Sequence, residues 1–323
     1  MLAFTCPHCQ AVVFFDSTSC LTCGTVLGYV PDGRAFTAVT GDGPALCVNR
    51  DVVTCNWLPD DGDGLCRCCS LTRTRPADTD PAGLAAWAAV EAAKRQLVFQ
   101  LDDLALPVGG APPLRFDLLS TTEQPVTTGH ADGVVTLDLA EGADSHREKM
   151  RIDLAEPYRT VLGHLRHEVG HYYWQRLVDG TPALDGFRAL FGDERVDYAT
   201  ALDQHYARTD DGSWTETHVS RYAAAHPWED WAETFAHYLH MRDTLQTAAA
   251  WRISVAGPVA RVPAASGFPE LVATWMAFTL ALNAVNRSMG KDDLYPFVLP
   301  DGVIDKLGFV HDVVTRHSGT SCD

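Results

Sequence analysis

A chain of 323 residues with 46% apolar and 21% charged residues is long enough for two or three domains with a sizeable core, which excludes a mainly disordered protein. A formal net charge of -17 repels polyphosphate backbones and argues against nucleic acid as a partner, and thiolate-bound metal would not make the chain basic. No apolar run is expected to span a bilayer, and the start, Met1-Leu2-Ala3-Phe4-Thr5-Cys6, has no signal-peptide character; a cytoplasmic protein with no membrane partner is expected.

Nine of the ten cysteines fall within the first 69 residues and mark a separate module. Cys6-x2-Cys9 and Cys20-x2-Cys23 are two knuckles ten residues apart, a spacing that offers four thiolates to one tetrahedral ion, structural zinc ahead of iron. A reducing compartment argues against disulfides at these positions. Cys47, Cys55, Cys66 and Cys69 form a second quartet for a second structural Zn²⁺. Cys66 and Cys69 keep the knuckle spacing, so Cys68 is read as spare, and Cys322 as an unconstrained surface thiol in the tail.

Leu71 to Pro81 reads as a linker, and Leu84 to Leu106 as a long helix with apolar positions at Leu84, Trp87, Val90, Leu97, Leu101 and Leu104 that packs the cysteine module onto the body. Arg115 to Ser120 and Gly133 to Ala140 are strand candidates. Within the second, Val134 to Leu139 is either a sheet edge able to pair with an extended substrate or an ordinary core strand.

Pro157 to Val178 reads as a helix carrying His167-Glu168-Val169-Gly170-His171. Residues four apart share a helix face, so both imidazoles can bind one Zn²⁺ while the glutamate between them points toward the open position of the metal. His164 lies a turn earlier and is read as packing or supporting rather than ligating. Phe191 to Tyr206 is a further helix candidate, in which Asp193-Glu194-Arg195 and Asp197 read as a salt-bridged surface or an N-cap.

Catalytic zinc needs three protein ligands and one open position, so a third ligand is required. His226-Pro227 followed by Trp228 to His240 reads as a helix with proline in its first turn, and Glu229 and Glu233 share one of its faces. One of them can bind the metal while the other accepts a proton from the far nitrogen of a ligand histidine. His226 and His237 are candidate helpers, each read first as a helix-packing or capping histidine, and His240 is a weaker candidate. Phe268 to Met289 and Gly302 to His317 read as core helices without a chemical constellation.

An H-E-x-x-H followed on a later helix by E-x-x-A-E resembles the gluzincin metallopeptidases, in the form found in the anthrax lethal factor group. The resemblance implies Glu229 as the third zinc ligand, Glu233 as its supporting acid, and Tyr222, seven residues before Glu229, as a stabiliser of the transition state. Over nearly its whole length the chain resembles a bacterial family of zinc-binding metallopeptidases with an N-terminal zinc-ribbon region. The phrases that carry this are Cys55-Asn56-Trp57-Leu58, Tyr158-Arg159-Thr160, Gly163 to Trp174, Phe191-Gly192-Asp193-Glu194-Arg195, Pro227 to His240, Asn286 to Gly290 and Asp293 to Phe297.

The resemblance implies an α+β architecture: a zinc-ribbon module with two four-cysteine sites over 1–75, a linker and packing helix over 76–110, and a mostly helical zincin-like domain with a small edge-exposed sheet and C-terminal helices over 111–323. It implies one catalytic and two structural Zn²⁺, and hydrolysis of a peptide bond by a metal-activated water with Glu168 as general base, the developing oxyanion being met by the metal and by Tyr222 or a nearby histidine. The expected partner is a peptide or protein substrate, with a second protein recruited through the ribbon. The competing expectations are a regulator with latent or single-target activity, and a zinc hydrolase acting on a non-peptide amide.

Overall fold

The computed structural model describes residues 2–41, 43–60, 64–120, 126–142, 160–255 and 267–320. Cys322 and the expected helix start at Pro157 to Arg159 lie outside them. The chain divides into two compact units, residues 1–103, 107–150 and 160–165 forming the first, and residues 104–106, 151–159 and 166–323 the second.

The first unit opens with two antiparallel pairs, β1 (Phe4–Thr5) with β2 (Val12–Val13) and β3 (Leu27–Val30) with β4 (Ala35–Ala38). Strands this short are not stable alone, and two things hold them. One is the pair of cysteine clusters described below. The other is an aromatic core in which Phe15 and Phe99 meet at 5.0 Å, Tyr29 and Trp57 at 5.2 Å, and Phe4 and Phe36 at 5.3 Å between ring centroids. After the short helix α1 (Arg50–Val53), helix α2 (Pro81–Asp103) starts on its proline, a residue suited to a first turn, three residues before the expected start.

Trp87, Val90, Leu97 and Leu101 of α2 are buried as its periodicity predicts, but so are Glu91 and Lys94. Lys94 Nζ donates to Glu91 Oε1 at 2.6 Å, and the same oxygen accepts from Trp87 Nε1 at 3.0 Å and Thr72 Oγ1 at 2.5 Å. A buried charge pair survives only with such additional hydrogen bonds.

Thr72 belongs to β5 (Thr72–Thr74), the first strand of a four-stranded sheet in the order β5–β6–β8–β7. Here β6 is Arg115–Leu119, β7 is Gly129–Ala131 and β8 is Val134–Asp138. β8 is parallel to β6 and antiparallel to β7, so it is bonded on both sides; the edge-strand alternative for Val134 to Leu139 is overturned, and the sheet's outer strands are β5 and β7. The sheet residues also share a unit with the cysteine-rich segment, where a boundary had been expected near 75 and 110, because β5 follows directly on the second cysteine quartet and pairs with β6.

The second unit is helical among its described residues. Helix α3 (Val161–Leu177) carries the H-E-x-x-H sequence, and α4 (Leu184–Phe191) follows it. The expected helix from Phe191 to Tyr206 instead begins at Tyr198, as α5 (Tyr198–Ala207). Gly192 takes a φ of 101°, a conformation that suits glycine and ends α4, and Asp197 caps α5 by accepting from Thr200 N at 2.9 Å. The charged residues between them are ion-paired: Arg195 grips Asp193 with two bonds of 2.8 Å, and Arg188 holds the buried Glu194 through two more.

Helix α6 (Pro227–Ala250) runs through the core of this unit with Trp231, Ala232, Phe235, Tyr238 and Leu239 buried. Phe235 stacks on Tyr173 of α3 at 5.4 Å. The last two helices are α7 (Phe268–Ser288) and α8 (Asp301–Thr320). Lys306 on α8 donates to Asp230 Oδ2 on α6 and to Thr217 O, both at 2.6 Å, an ion pair buried in the apolar interior. Against expectation, α7 is long and apolar enough to cross a bilayer, with a mean hydropathy of 1.3; it packs through Trp275, whose ring lies 5.5 Å from His240 and 4.8 Å from Tyr295.

Candidate metal sites

The cysteines form two clusters. In the first, Cys6 Sγ lies 3.7 Å from Cys23 Sγ and Cys9 Sγ 3.6 Å from Cys20 Sγ. In the second, Cys55 Sγ lies 3.6 Å from Cys66 Sγ and 3.7 Å from Cys69 Sγ, with Cys47 completing the group. A disulfide would bring the sulfurs to about 2.0 Å. Four thiolates bound to zinc at about 2.3 Å in a tetrahedron lie about 3.8 Å apart, so these clusters have the spacing of zinc sites.

The knuckle turns supply amide donors. Cys66 N points at Cys47 Sγ and Cys69 N at Cys66 Sγ, each at 3.4 Å. The hydroxyl and amide of Thr25 bond to Cys23 Sγ and hold that thiol down at about 6, favouring the thiolate that binds metal. Cys68 lies outside both clusters and is buried, where desolvation pushes its thiol well up.

The third site lies within the second unit. His167 and His171 sit one turn apart on α3, and Glu229 reaches them from the first turn of α6. The close approach of the helices is set by Gly170, where an added Cβ would fall 2.9 Å from Ala232 Cα, and by Trp231, whose indole Nε1 donates to Gly170 O at 2.8 Å. His167 Nε2, His171 Nε2 and Glu229 Oε2 then form a triangle with edges of 3.2, 3.1 and 3.5 Å.

Nitrogen and oxygen ligands about 2.0–2.1 Å from a tetrahedral ion lie about 3.3 Å apart, so the residues fit zinc. Glu229 is 2% exposed, and its Oε2 has no hydrogen-bond donor. A buried carboxylate oxygen turned on two ring nitrogens calls for a cation.

The supporting bonds fix which nitrogen faces that cation. His167 Nδ1 lies 2.7 Å from Glu233 Oε1 and donates to it, leaving the Nε2 lone pair toward the triangle. Glu233 Oε2 accepts from Ser220 Oγ at 2.8 Å. Burial would raise the Glu233 carboxyl, but the His167 bond and charge outweigh it and hold it at about 2. For His167 burial works downward, and the two carboxylates beside it reverse that, raising it well above the usual histidine range. Its second proton is the one a metal ion replaces.

Glu168 is 5% exposed, between the two histidines in sequence. Tyr222, in a short 3-10 turn just before α6, has its ring 5.9 Å from that of His167. Burial, then the nearby Glu229 charge, pushes its phenol far up, so it stays protonated.

The candidate helper histidines serve the scaffold. His226 is the N-cap of α6: Nδ1 accepts from Trp228 N and Nε2 donates to Val196 O, both at 3.1 Å. His237 Nδ1 donates to Glu233 O at 3.0 Å, with its ring packed edge-on against Phe297 at 4.4 Å. His240 stacks on Tyr295 at 5.8 Å. His164 bonds Glu141 and is not one of the three ligand residues.

Two residues of the site have no sequence signal: Ser220, which supports Glu233, and Tyr198, whose hydroxyl donates to Glu229 Oε1 at 2.7 Å. Tyr198 lies 31 residues before its partner with no motif between them.

A zinc-ribbon family model matches residues 3–80, and the family model described as "putative zinc-binding metallo-peptidase" matches residues 83–313. An uncharacterized protein of Mycobacterium bovis and two of Mycobacterium tuberculosis strains are each 47% identical, over 97% of this chain and 95% of the relative. No solved structure matches. The zinc-ribbon match spans both cysteine quartets and the peptidase match spans the His167, His171 and Glu229 triangle, and the chain belongs to this zinc-binding metallopeptidase family.

Proposed function

We propose that the chain is a zinc-dependent peptidase of the gluzincin kind, with His167, His171 and Glu229 as ligands of the catalytic ion and Glu168 as general base. The observation that carries this reading is the triangle of His167 Nε2, His171 Nε2 and Glu229 Oε2, whose edges of 3.1–3.5 Å suit a tetrahedral ion with one position left over. Zinc bound there supplies a Lewis acid that brings the pKa of water toward neutrality and polarises a carbonyl.

The protein groups do the rest. Glu168 takes the proton of the attacking water and passes it to the leaving amine. Glu233, held by Ser220, keeps His167 in its ligating tautomer. The Tyr222 phenol donates to the carbonyl oxygen as negative charge grows on it. The cysteine clusters carry two structural Zn²⁺ in a cytoplasmic protein, and the ribbon serves as the docking element for a protein partner.

Glu168→Gln separates chemistry from binding. It is expected to keep the metal content of the wild type and to lose hydrolysis of a denatured protein substrate. Turnover at the wild-type rate would remove Glu168 from the role of base. Glu229→Ala is expected to lose one ion per chain and keep the thiolate-bound ones; retention of all three would move the ligand elsewhere.

A further inference from the structure

The two oxygens of Glu229 have different surroundings. Oε2 faces the two Nε2 atoms, whereas Oε1 accepts the Tyr198 hydroxyl at 2.7 Å. A carboxylate beside a divalent ion can ligate through one oxygen or both, and what decides is whether the second oxygen is bonded elsewhere. Tyr198 is well placed to decide it, because the chain is clamped on both sides of it. Val196 O accepts from His226 Nε2 at 3.1 Å, and the Asp197 carboxylate holds Thr200 N at 2.9 Å. The tyrosine ring packs edge-on against His226 at 5.2 Å and lies 6.3 Å from Trp228. Since His226 is also the cap of the helix that carries Glu229, one histidine ties the backbone at Val196, two residues before Tyr198, to the start of α6.

We infer that Tyr198 is a positioning residue that restricts Glu229 to one-oxygen ligation by occupying Oε1, which keeps a coordination position free for substrate or water. The inference rests on the zinc-site reading given above and adds to it the residue that sets the ligand's mode. Loss of a partner that orients a metal ligand costs about 10- to 100-fold in affinity.

The test uses the full chain with its thiolate sites filled with zinc and the remaining site titrated with Co²⁺, comparing wild type, Tyr198→Phe and Glu229→Ala. Tyr198→Phe keeps the ring and its packing and removes only the hydroxyl. The expected result is Co²⁺ binding about tenfold or more weaker. The visible absorption per bound ion is expected to weaken too, as the coordination number rises from four when Glu229 swings both oxygens onto the metal. Wild-type affinity together with a wild-type spectrum would overturn the inference and reduce Tyr198 to packing. Glu229→Ala, run alongside, separates the two levels: retention of the Co²⁺ ion there overturns the zinc-site reading and this inference with it, whereas its loss beside a silent Tyr198→Phe overturns only the role of Tyr198.

Discussion

Gly170→Ala places a single methyl group where α3 and α6 touch. The new Cβ would lie 2.9 Å from Ala232 Cα, 3.2 Å from Ala232 O and 3.4 Å from Ala232 Cβ. Carbon atoms pack at about 3.5–4.0 Å, so the helices must separate by roughly 0.6 Å or more at this point. His171 is the next residue on α3, and Glu229 lies three residues before Ala232 on α6, so the separation falls on the ligand triangle. Metal–ligand distances tolerate about 0.2 Å, so the displacement exceeds what the site can absorb.

The cost to folding is smaller. Overpacking costs about 1–3 kcal/mol, and replacing glycine by alanine within a helix returns about 1 kcal/mol. Gly170→Ala is therefore expected to melt within a few degrees of wild type while binding its third Zn²⁺ at least about tenfold more weakly, measured by competition with a chelator. Wild-type zinc affinity in a folded Gly170→Ala chain would refute the claim that this contact sets the geometry of the site.

Lys306→Met leaves Asp230, 1% exposed, without its cation and should cost about 3–5 kcal/mol, read as a lowered Tm; pairing it with Asp230→Asn should recover much of the loss. Burial, and then the nearby Arg166, holds His240 at about 3, below its unfolded value of about 6.5, so its contribution is complete above about pH 6.5 and is lost as the pH falls toward 3. Urea titrations should show stability declining on that acid side, at up to about 1.4 kcal/mol per pH unit for this group, with a shallower decline in His240→Phe. Cys20→Ser should weaken amide exchange protection across Phe4 to Val30, where strands of two and four residues would lose the cysteine cluster and keep only the aromatic core, and leave protection in α3 and α6 unchanged. Tyr222→Phe should lower kcat by about 10²-fold with metal content unaltered; an unchanged kcat would return Tyr222 to packing.

Much of the site was legible because its spacing is local. His167 and His171 lie four apart on α3, as Glu229 and Glu233 do on α6, and each pair shares a helix face whatever the tertiary fold. The cysteine quartets were legible for the same reason, and Cys69 rather than Cys68 joins the second because only it keeps the knuckle spacing from Cys66. Tyr198 was not legible: its contact with Glu229 depends on how the α4–α5 connection folds back, and no periodicity encodes that.

The buried histidines took the capping and packing roles expected of them ahead of any chemical one, though their partners were not legible. His226 and His237 are polar residues near an acidic motif, but their bonds go to backbone groups that a sequence does not display. Glu91 and Lys94 were hidden differently, since two charges on an Ala-rich helix read as a solvated face until Thr72 and Trp87 are brought to them. The break between α4 and α5 turned on Gly192, whose positive φ ends a helix that composition alone would have continued. The sheet order was beyond reach because parallel pairing of β6 with β5 and β8 joins segments far apart in the chain.

The measurement that tests the central claim most directly is mass spectrometry of newly formed N-termini in a bacterial lysate incubated with the zinc-loaded chain, run in parallel with Glu168→Gln of verified zinc content. The account predicts new N-termini with wild type that are absent with Glu168→Gln. Identical N-terminal profiles for the two proteins, with three zinc ions bound in each, would contradict a Glu168-dependent peptidase.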